Sequence, residues 1–420
     1  MTEVIEKTEY KKGYKKTKLG WVPEDWKMVR FNELFDEVVN LSNDTETYPL
    51  YSLTLENGVT PKTERYERSH LLKDKNENEF KLISEGEIAI NPMNLRFGAF
   101  FMSKVPETVY LSSYYDIFKA KKDTVNGIFY DAFMKSASAR RLYQRIATGS
   151  LDEKKRIHLS ELKKQLVPYP KKEEQDKIAE ILSAWDDGIE ALEKLIEQKE
   201  IFHKALMKNL LIGKIRLFEF SSKWTHSKFN SIFERITRKN EELNSNILTI
   251  SAQNGLISQK DFYNKRIASV DTSKYILLKN GEFAYNKSYS NGYPLGAIKR
   301  LDQYGKGVVS SLYICFKLNN SANCSDFWKY YFEAGMLNRE IKMIAQEGAR
   351  NHGLLNMTTE DFFNMLLFYP KDLKEQQKIA EILNKSDEEI QLLNSKLEKL
   401  KEQKKGLMQK LLTGQIRVKV

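Results

Sequence analysis

Two kinds of polar segment, each present once in either half of the chain, carry residue types that could bind nucleic acid. The first kind follows a predicted strand: Asn91, Asn94 and Arg96 in "INPMNLRFGAF", and Asn286, Lys287, Tyr289 and Asn291 in "YNKSYSNGYPLGAI". The second kind precedes a predicted long helix: Gly149, Ser150, Lys154, Lys155 and Arg156 in "ATGSLDEKKRIHLS", and Arg350, Asn351 and His352 in "QEGARNHGLLNMT". In the major groove, arginine and lysine pair with guanine, and asparagine pairs with adenine. We expect both kinds of segment to contact DNA; ordinary hairpin turns and solvated loops are the alternative.

A pair of serines occurs at a third matched position. Ser112 and Ser113 precede a predicted buried strand, and Ser310 and Ser311 precede another. These hydroxyls could stabilise a turn, or they could contact a DNA phosphate.

The segment that begins at Asn91 also invites an enzymatic interpretation. Amino-methyltransferases carry a short Asn/Asp-Pro-Pro-aromatic motif, but "NPMN" lacks the second proline and the aromatic residue, and its counterpart reads "NKSY". The chain contains no glycine-rich motif for an adenosyl cofactor and no Walker A motif. Its five histidines form no cluster, and Cys315 and Cys324 lie outside any metal-ligand pattern. The sequence therefore predicts no catalytic residue and no metal site.

The elements that must position these segments are themselves repeated. "EEQDKIAEIL" (residues 173–182) returns as "KEQQKIAEIL" (residues 374–383). Apolar residues then recur with alternating steps of four and three, which is typical of a coiled-coil seam. The seam contains Ile178, Leu182, Trp185, Ile189 and Leu192 in the first copy, and Ile379, Leu383, Ser386, Ile390, Leu393 and Leu397 in the second, where Ser386 is the one polar residue. We predict two helices of about 40 residues and about 60 Å that pair with each other.

The ends of these helices are marked by residues that do not continue a helix. Pro170 and Pro370 precede them, and Gly213 and Gly414 end them. Beyond the seam, Ile181, Leu195, Ile382 and Leu412 are expected to leave apolar surface that a partner protein could cover.

The remaining sequence predicts an α/β (α+β) fold with two globular domains. The two domains share short matched phrases, and the sequences between those phrases differ. The expected boundaries are a tail at 1–20, a domain at 21–168, a helix at 169–217, a domain at 218–368 and a helix at 369–420. Lysine and arginine exceed aspartate and glutamate by 68 to 57, a net charge of +11. This surplus favours a polyanionic partner, although it can also serve solubility.

The localisation predicted from the sequence is cytoplasmic. The first 20 residues are polar, and no apolar run reaches the roughly 18 to 20 residues of a membrane span. We therefore expect no membrane contact.

Together these features resemble the DNA-specificity subunit of type I restriction–modification enzymes. The resemblance depends on the two "EQ..IA.IL" helices, the proline before each, the "LLxGxIR" ends at 210–216 and 411–417, and "GWVPEDW" from Gly20. It covers nearly the whole chain.

The resemblance implies a non-catalytic protein with an internal pseudo-twofold repeat. Two target-recognition domains would each read one half of a bipartite site in double-stranded DNA, and the two helices would pair antiparallel as a spacer. Two methyltransferase subunits, and through them the restriction and translocase subunits, would dock on the helices. S-adenosylmethionine, ATP and Mg²⁺ would bind to those partners, and the N-terminal segment would pack beside the end of the chain. A stand-alone DNA methyltransferase or nuclease, and a coiled-coil scaffold without a DNA role, are the alternatives.

Overall fold

The computed structural model describes residues 11–42, 44, 46–61, 80–151, 155–251, 254–260, 272–289, 292–347 and 355–420. The chain divides into two compact units. Unit 1 takes the chain up to Leu192 together with Lys396–Val420, and unit 2 takes Glu193–Ser395. Each unit contains one globular segment and a part of both long helices. The predicted domain boundaries, which separate the helices from the globules, remain a prediction.

The structure combines short helices and antiparallel sheets with two helices of 40 residues each, which makes the fold α+β. The helices are α1 (Phe31–Leu34), α2 (Gly127–Met134), α3 (Ala137–Ile146), α4 (Leu159–Lys163), α5 (Lys172–Leu211), α6 (Ser325–Glu333), α7 (Asn338–Ile344), α8 (Thr359–Asn364) and α9 (Leu373–Leu412). The two predicted long helices are thus confirmed as α5 and α9. Gly213 and Gly414 follow them with φ angles of 68° and 66°, a left-handed conformation that suits glycine at a helix end.

In unit 1 the strands form short antiparallel sheets. They are β1 (Tyr14–Thr17), β2 (Gly20–Pro23), β3 (Lys27–Arg30), β4 (Phe35–Val38), β5 (Leu41–Ser42), β6 (Tyr51–Thr54), β7 (Gly58–Pro61), β8 (Phe80–Ile83), β9 (Ile88–Ile90), β10 (Phe100–Met102), β11 (Val109–Leu111), β12 (Asp116–Ala120) and β13 (Leu166–Tyr169). The largest sheet has the order β10-β9-β12-β4. Its apolar face packs on Phe129, Tyr130 and Phe133 of α2, which are almost fully buried.

Part of the predicted tail belongs to the fold of unit 1. β1 pairs with β2, and the hydroxyl of Tyr14 donates a hydrogen bond to the carbonyl of Gly414 at 2.8 Å. Residues 14–17, which the sequence assigned to the tail, therefore lie in a strand whose partner begins at residue 20.

In unit 2 the strands also form antiparallel sheets, most of which have a counterpart in unit 1. They are β14 (Thr225–Lys228), β15 (Phe233–Arg235), β16 (Leu248–Ser251), β17 (Gly255–Ser258), β18 (Ile276–Lys279), β19 (Phe283–Asn286), β20 (Ala297–Arg300), β21 (Lys306–Val309), β22 (Ile314–Leu318), β23 (Gln346–Glu347), β24 (Leu355–Asn356) and β25 (Leu366–Tyr369). Its largest sheet has the order β20-β19-β22-β15, which corresponds strand by strand to the sheet of unit 1. The core includes Phe283, Phe316, Trp328 and Phe332.

The predicted seam residues of the long helices are buried or half-buried. In unit 1, Ile178 and Leu182 pack in one core with Leu411 and Leu412. In unit 2, Ile379 and Leu383 pack in one core with residues at the end of α5, namely Met207, Leu210 and Leu211. Leu192 and Leu397 are also buried, while Trp185, Ile189, Ile390 and Leu393 are half-buried.

Candidate nucleic-acid interface

Asn91 and Asn286 open the first kind of predicted segment by capping its turn. The side-chain oxygen of Asn91 accepts hydrogen bonds from the backbone N–H groups of Met93 at 3.1 Å and Asn94 at 3.4 Å. The side-chain oxygen of Asn286 accepts from the N–H of Ser288 at 3.1 Å. Asparagine suits this position because its short side chain bonds its own backbone two residues on. Asn91 is only 8% exposed, so its first role is to hold the loop.

The residues that follow Asn91 form a compact loop that ends at Gly98. Asn94 is half-buried, and its carbonyl accepts from Phe97 and Ala99. The guanidinium of Arg96 lies 4.4 Å from the centre of the Phe97 ring. Phe97 is exposed, so the loop presents an aromatic ring and a cation side by side.

In unit 2 the equivalent loop presents an exposed aromatic residue as well. Tyr289 is 63% exposed and Lys287 is half-buried. Asn291 lies outside the residues that the structure describes.

The second kind of predicted segment is a hairpin in unit 1. Thr148 and Arg156 exchange two backbone hydrogen bonds, at 2.9 and 3.0 Å. Gly149, Ser150 and Arg156 are exposed, Lys155 is half-buried, and Lys154 lies outside the described residues. In unit 2, β23 and β24 make the corresponding pairing. Arg350, Asn351 and His352 fall between those strands, outside the described part of the chain.

The structure brings the two kinds of segment together in each unit. In unit 1, the N–H of Ile157 donates to the carbonyl of Pro92 at 3.0 Å. In unit 2, the N–H of Leu355 donates to the carbonyl of Lys287 at 3.2 Å. One backbone hydrogen bond thus joins the loop after β9 or β19 to the hairpin after α3 or α7. We call each joined pair a reading surface. The sequence carries no signal for this contact, because it connects positions more than 60 residues apart.

The matched serines lie in exposed turns. Ser112 Oγ accepts from the N–H of Tyr114 at 3.4 Å, and Ser310 Oγ accepts from the N–H of Leu312 at 3.3 Å. Both hydroxyls therefore stabilise a turn between two strands. Ser113 and Ser311 are exposed beside them.

In each unit the glutamate of the repeated "EQ" binds an arginine that follows the end of the other long helix. Sequence reasoning missed this role. In unit 1, Arg417 donates to both carboxylate oxygens of Glu174, at 2.7 and 3.1 Å, and Trp26 Nε1 donates to the same group at 3.0 Å. In unit 2, Arg216 donates to Glu375 at 2.8 and 3.1 Å. We call these contacts the two clamps.

The clamp of unit 1 includes a further carboxylate. Arg417 also donates to Asp25 at 2.8 and 3.0 Å, and this hydrogen bonding holds the pKa of Asp25 below its ordinary value. The clamp of unit 2 includes Trp224, whose Nε1 donates to Glu375 at 3.1 Å.

The glutamine beside each clamp glutamate fixes the loop before a helix of the globule, α2 in unit 1 and α6 in unit 2. Gln175 Oε1 accepts from the N–H of Asn126 at 2.9 Å, and Gln376 Oε1 accepts from the N–H of Cys324 at 2.8 Å. Both glutamines are fully buried. The matched signal that could have revealed these roles is the pairing of each "EQ" with the "GxIR" arginine of the other repeat.

The apolar surface expected beyond the seam is smaller than predicted. Leu412 is buried in the core of unit 1, and Ile181 and Ile382 pack half-buried against the globular cores. The prediction is wrong for Leu412, because the end of α9 closes unit 1 instead of facing solvent. Leu195 is 40% exposed, and Phe202, seven residues later on α5, is 60% exposed.

The described residues contain no group of three or more histidine, cysteine, aspartate or glutamate side chains that could hold a metal ion. Within the same residues, no helix is long and apolar enough to cross a membrane.

Several known proteins that are similar to this chain are specificity subunits of type I restriction enzymes. The family model for the type I restriction modification DNA specificity domain matches residues 23–201. Two relatives from Methanocaldococcus jannaschii are each 23% identical: the putative type I restriction enzyme MjaX specificity subunit, over 97% of both chains, and the MjaVIII specificity subunit, over 95% of this chain and 94% of that one.

Two solved structures share the fold. One is the S subunit of a type I restriction–modification system from M. genitalium, at 15% identity and a TM-score of 0.51, over 92% of this chain and 96% of that one. The other belongs to a study of complex assembly and conformational transition of the type I R-M system, at 13% identity and a TM-score of 0.54, over 94% and 99%.

Proposed function

Because the chain belongs to the specificity subunits of type I restriction–modification systems, we propose that it recognises a bipartite site in double-stranded DNA, with each unit reading one half. It is the DNA-recognising subunit of such a system and not its enzyme. The observation that carries the proposal is the presence of one reading surface in each unit. Each surface has an exposed aromatic residue, with Arg156 exposed in unit 1 and Lys287 half-buried in unit 2, and such residues suit contacts with base edges and phosphates.

The contact residues that we propose are those of the matched segments. In unit 1 they are Asn94, Arg96, Ser112, Ser113, Gly149, Ser150, Lys154, Lys155 and Arg156; in unit 2 they are Lys287, Tyr289, Asn291, Arg350, Asn351 and His352. Asn91 and Asn286 act beside them mainly by holding the turns.

We further propose that α5 and α9 pair antiparallel as a coiled coil and that the chain is an internal repeat. In unit 2, Lys199 pairs with Glu389 at 2.6 Å and His203 with Asp387 at 3.2 Å. The residue numbers therefore rise along α5 while those of the partners fall along α9, as in an antiparallel pair. In unit 1, Lys404 pairs with Asp186, and Arg417 pairs with Glu174 in the same sense. The matched order of the four-stranded sheets supports the repeat.

The proposed protein partners are two methyltransferase subunits, with restriction and translocase subunits joining through them. S-adenosylmethionine, ATP and Mg²⁺ would act in those partners. The exposed apolar side chains of Leu195 and Phe202 on α5 support this proposal. One structural relative was solved in work on the assembly of a type I R-M complex, which also supports it. The cytoplasmic location stays a prediction.

The test is a genome-wide map of N6-methyladenine in the source strain with and without the gene. We expect methylation to disappear from one motif made of two short halves and a fixed gap. Replacing residues 222–360 with the matching segment of another specificity subunit should then change one half of the motif and leave the other. A map that does not depend on the gene would contradict the proposal, and so would a replacement that alters both halves.

A further inference from the structure

We propose that an exposed basic face on the helix before each hairpin holds the DNA phosphate backbone beside the reading surface. The basic face consists of Arg140, Arg141 and Arg145 on α3 of unit 1, and of Arg339 and Lys342 on α7 of unit 2. These residues position the DNA without reading its sequence. The inference rests on the proposed function and assigns a task to residues outside the predicted segments.

The position of α3 carries the first part of the argument. At Gly98, where the first loop ends, an added Cβ would lie 3.7 Å from the Nε of Arg140. At its other end the helix leads through Ala147 into Thr148, the first residue of the hairpin pairing. Helix α3 therefore contacts one segment of the reading surface and continues directly into the other.

The two sides of α3 differ sharply in polarity. Ser138, Ala139, Leu142 and Tyr143 are buried, whereas the three arginines are exposed. The burial of the apolar side fixes the helix, so the arginines project from a rigid support. Rigid presentation of cations lowers the entropic cost of binding a phosphate.

The charges on α3 are not neutralised within the described part of the chain. Arg140 donates to the carbonyl of Lys135, Arg141 to the hydroxyl of Ser138, and Arg145 to the carbonyl of Lys18. All three acceptors are neutral. The clamp arginines Arg216 and Arg417 bind carboxylates instead. An uncompensated cluster of this kind attracts a polyanion.

A groove of about 630 Å³ beside α3 extends the positive charge within unit 1. Its basic lining residues include Lys11, Arg140, Arg141 and Lys405, and none of the residues that line it is acidic. Lys135 also lines it but is paired with Asp131 at 2.5 Å. A concave surface lined by one sign of charge strengthens the local potential. This charge reinforces the attraction of the basic face for DNA.

Helix α7 occupies the same place in unit 2. The two helices end with the same kind of hydrogen bond. In α3 the N–H of Ala147 donates to the carbonyl of Tyr143 at 3.0 Å, and in α7 the N–H of Ala345 donates to the carbonyl of Ile341 at 2.8 Å. Arg339 and Lys342 are exposed. The acidic residue between them, Glu340, accepts a hydrogen bond from the N–H of Leu366 at 3.3 Å. With two basic residues in place of three, unit 2 should make fewer phosphate contacts.

The experiment measures how the affinity for DNA depends on salt. The full-length chain, assembled with its methyltransferase partner, is titrated with a duplex that contains the mapped site at several salt concentrations. Arg141→Gln/Arg145→Gln should weaken binding and reduce the slope of log K against log salt by about 1.8, because each lost phosphate contact contributes about 0.9. Arg339→Gln/Lys342→Gln should act in the same way. The methylated motif should not change in either variant.

The matched control is Lys119→Gln/Lys122→Gln, which also removes two positive charges from exposed side chains of unit 1. Ile90 pairs with Asp116, so the start of β12 lies beside the reading surface, whereas Lys119 and Lys122 lie toward the opposite end of that strand. We expect the control to leave the slope within about 0.5 of the wild-type value.

Different outcomes separate this inference from the proposed function. An unchanged slope in the arginine variants, with normal binding of the wild type, would overturn the basic face and leave the proposed function standing. A changed methylation motif would mean that these residues read bases, and loss of the methyltransferase from the purified complex would mean that the face binds protein; either result overturns the inference. A wild-type complex without site-specific DNA binding would overturn both proposals.

Discussion

At the scale of single residues, each unit depends on one buried glutamate. The Glu375 side chain is 1% exposed and accepts hydrogen bonds from Arg216 and Trp224. Burying a carboxylate without partners is costly, so the glutamate requires both donors. Glu174 repeats the arrangement with Arg417 and Trp26. The repeated glutamate is thus explained by charge pairing inside the fold.

This arrangement predicts an unequal effect of single and double substitutions in unit 2. Arg216→Leu should lower the free energy of unfolding by about 3 kcal/mol, because it leaves the Glu375 carboxylate buried beside Trp224 alone. Arg216→Leu/Glu375→Leu should recover most of that loss, since no unpaired charge remains. Urea unfolding followed by hydrogen exchange of peptides from unit 2 gives both values.

A surface ion pair provides the comparison for this prediction. Lys378 and Glu381 lie on exposed turns of α9, 2.9 Å apart. Lys378→Ala should therefore destabilise the protein much less than Arg216→Leu does. An Arg216→Leu variant as stable as Lys378→Ala would show that the clamp contributes no more than a surface pair.

At the scale of elements, the sequence predicted what depends on local periodicity. The residues at steps of four and three along α5 and α9 are buried or half-buried, because an apolar residue that recurs in this way occupies one face of a helix. The coiled-coil seam itself stays a prediction. Proline and glycine predicted the ends of both helices for equally local reasons.

Elements that depend on distant contacts could not be predicted in the same way. The hydrogen bond between Ile157 and Pro92 joins segments that no periodic pattern connects. Arg417 and Glu174 are 243 positions apart, so their pairing depends on how the end of α9 meets the start of α5 within unit 1. The same closure explains why Leu412 is buried although its position in the heptad suggested exposure.

The exposed apolar side of α5 predicts a site of protein binding. Leu195 and Phe202 are one heptad apart and therefore lie on the same side of the helix. Leu195→Ser/Phe202→Ser should weaken the complex with the methyltransferase by about tenfold or more, as expected when two apolar anchors leave an interface. Co-purification and analytical ultracentrifugation of the mixed subunits measure the loss.

Leu312→Ser is the control for this surface, because Leu312 is an exposed apolar residue of the globular segment of unit 2. It should leave the complex intact. If both variants bind the methyltransferase as the wild type does, this side of α5 is not the docking surface.

At the scale of the whole molecule, unit 1 is built from both ends of the chain. Residues before Leu192 pack with Lys396–Val420, and Tyr14 bonds directly to Gly414. Unit 2 consists of a single continuous stretch, Glu193–Ser395. The last residues of the chain therefore determine the stability of the first globular segment.

This connectivity predicts a selective effect of shortening the chain. A chain that ends at Thr413 lacks Arg417, so Glu174 keeps only Trp26 as a partner, and Tyr14 loses its acceptor. We expect hydrogen exchange in unit 1 to increase by about two orders of magnitude, which corresponds to about 3 kcal/mol. Exchange in unit 2 should stay unchanged.

A chain that ends at Val418 keeps the clamp and should exchange like the full-length protein. Equal acceleration in both units of the shorter chain would mean that the ends of the chain stabilise more than unit 1, and that the two units do not unfold separately.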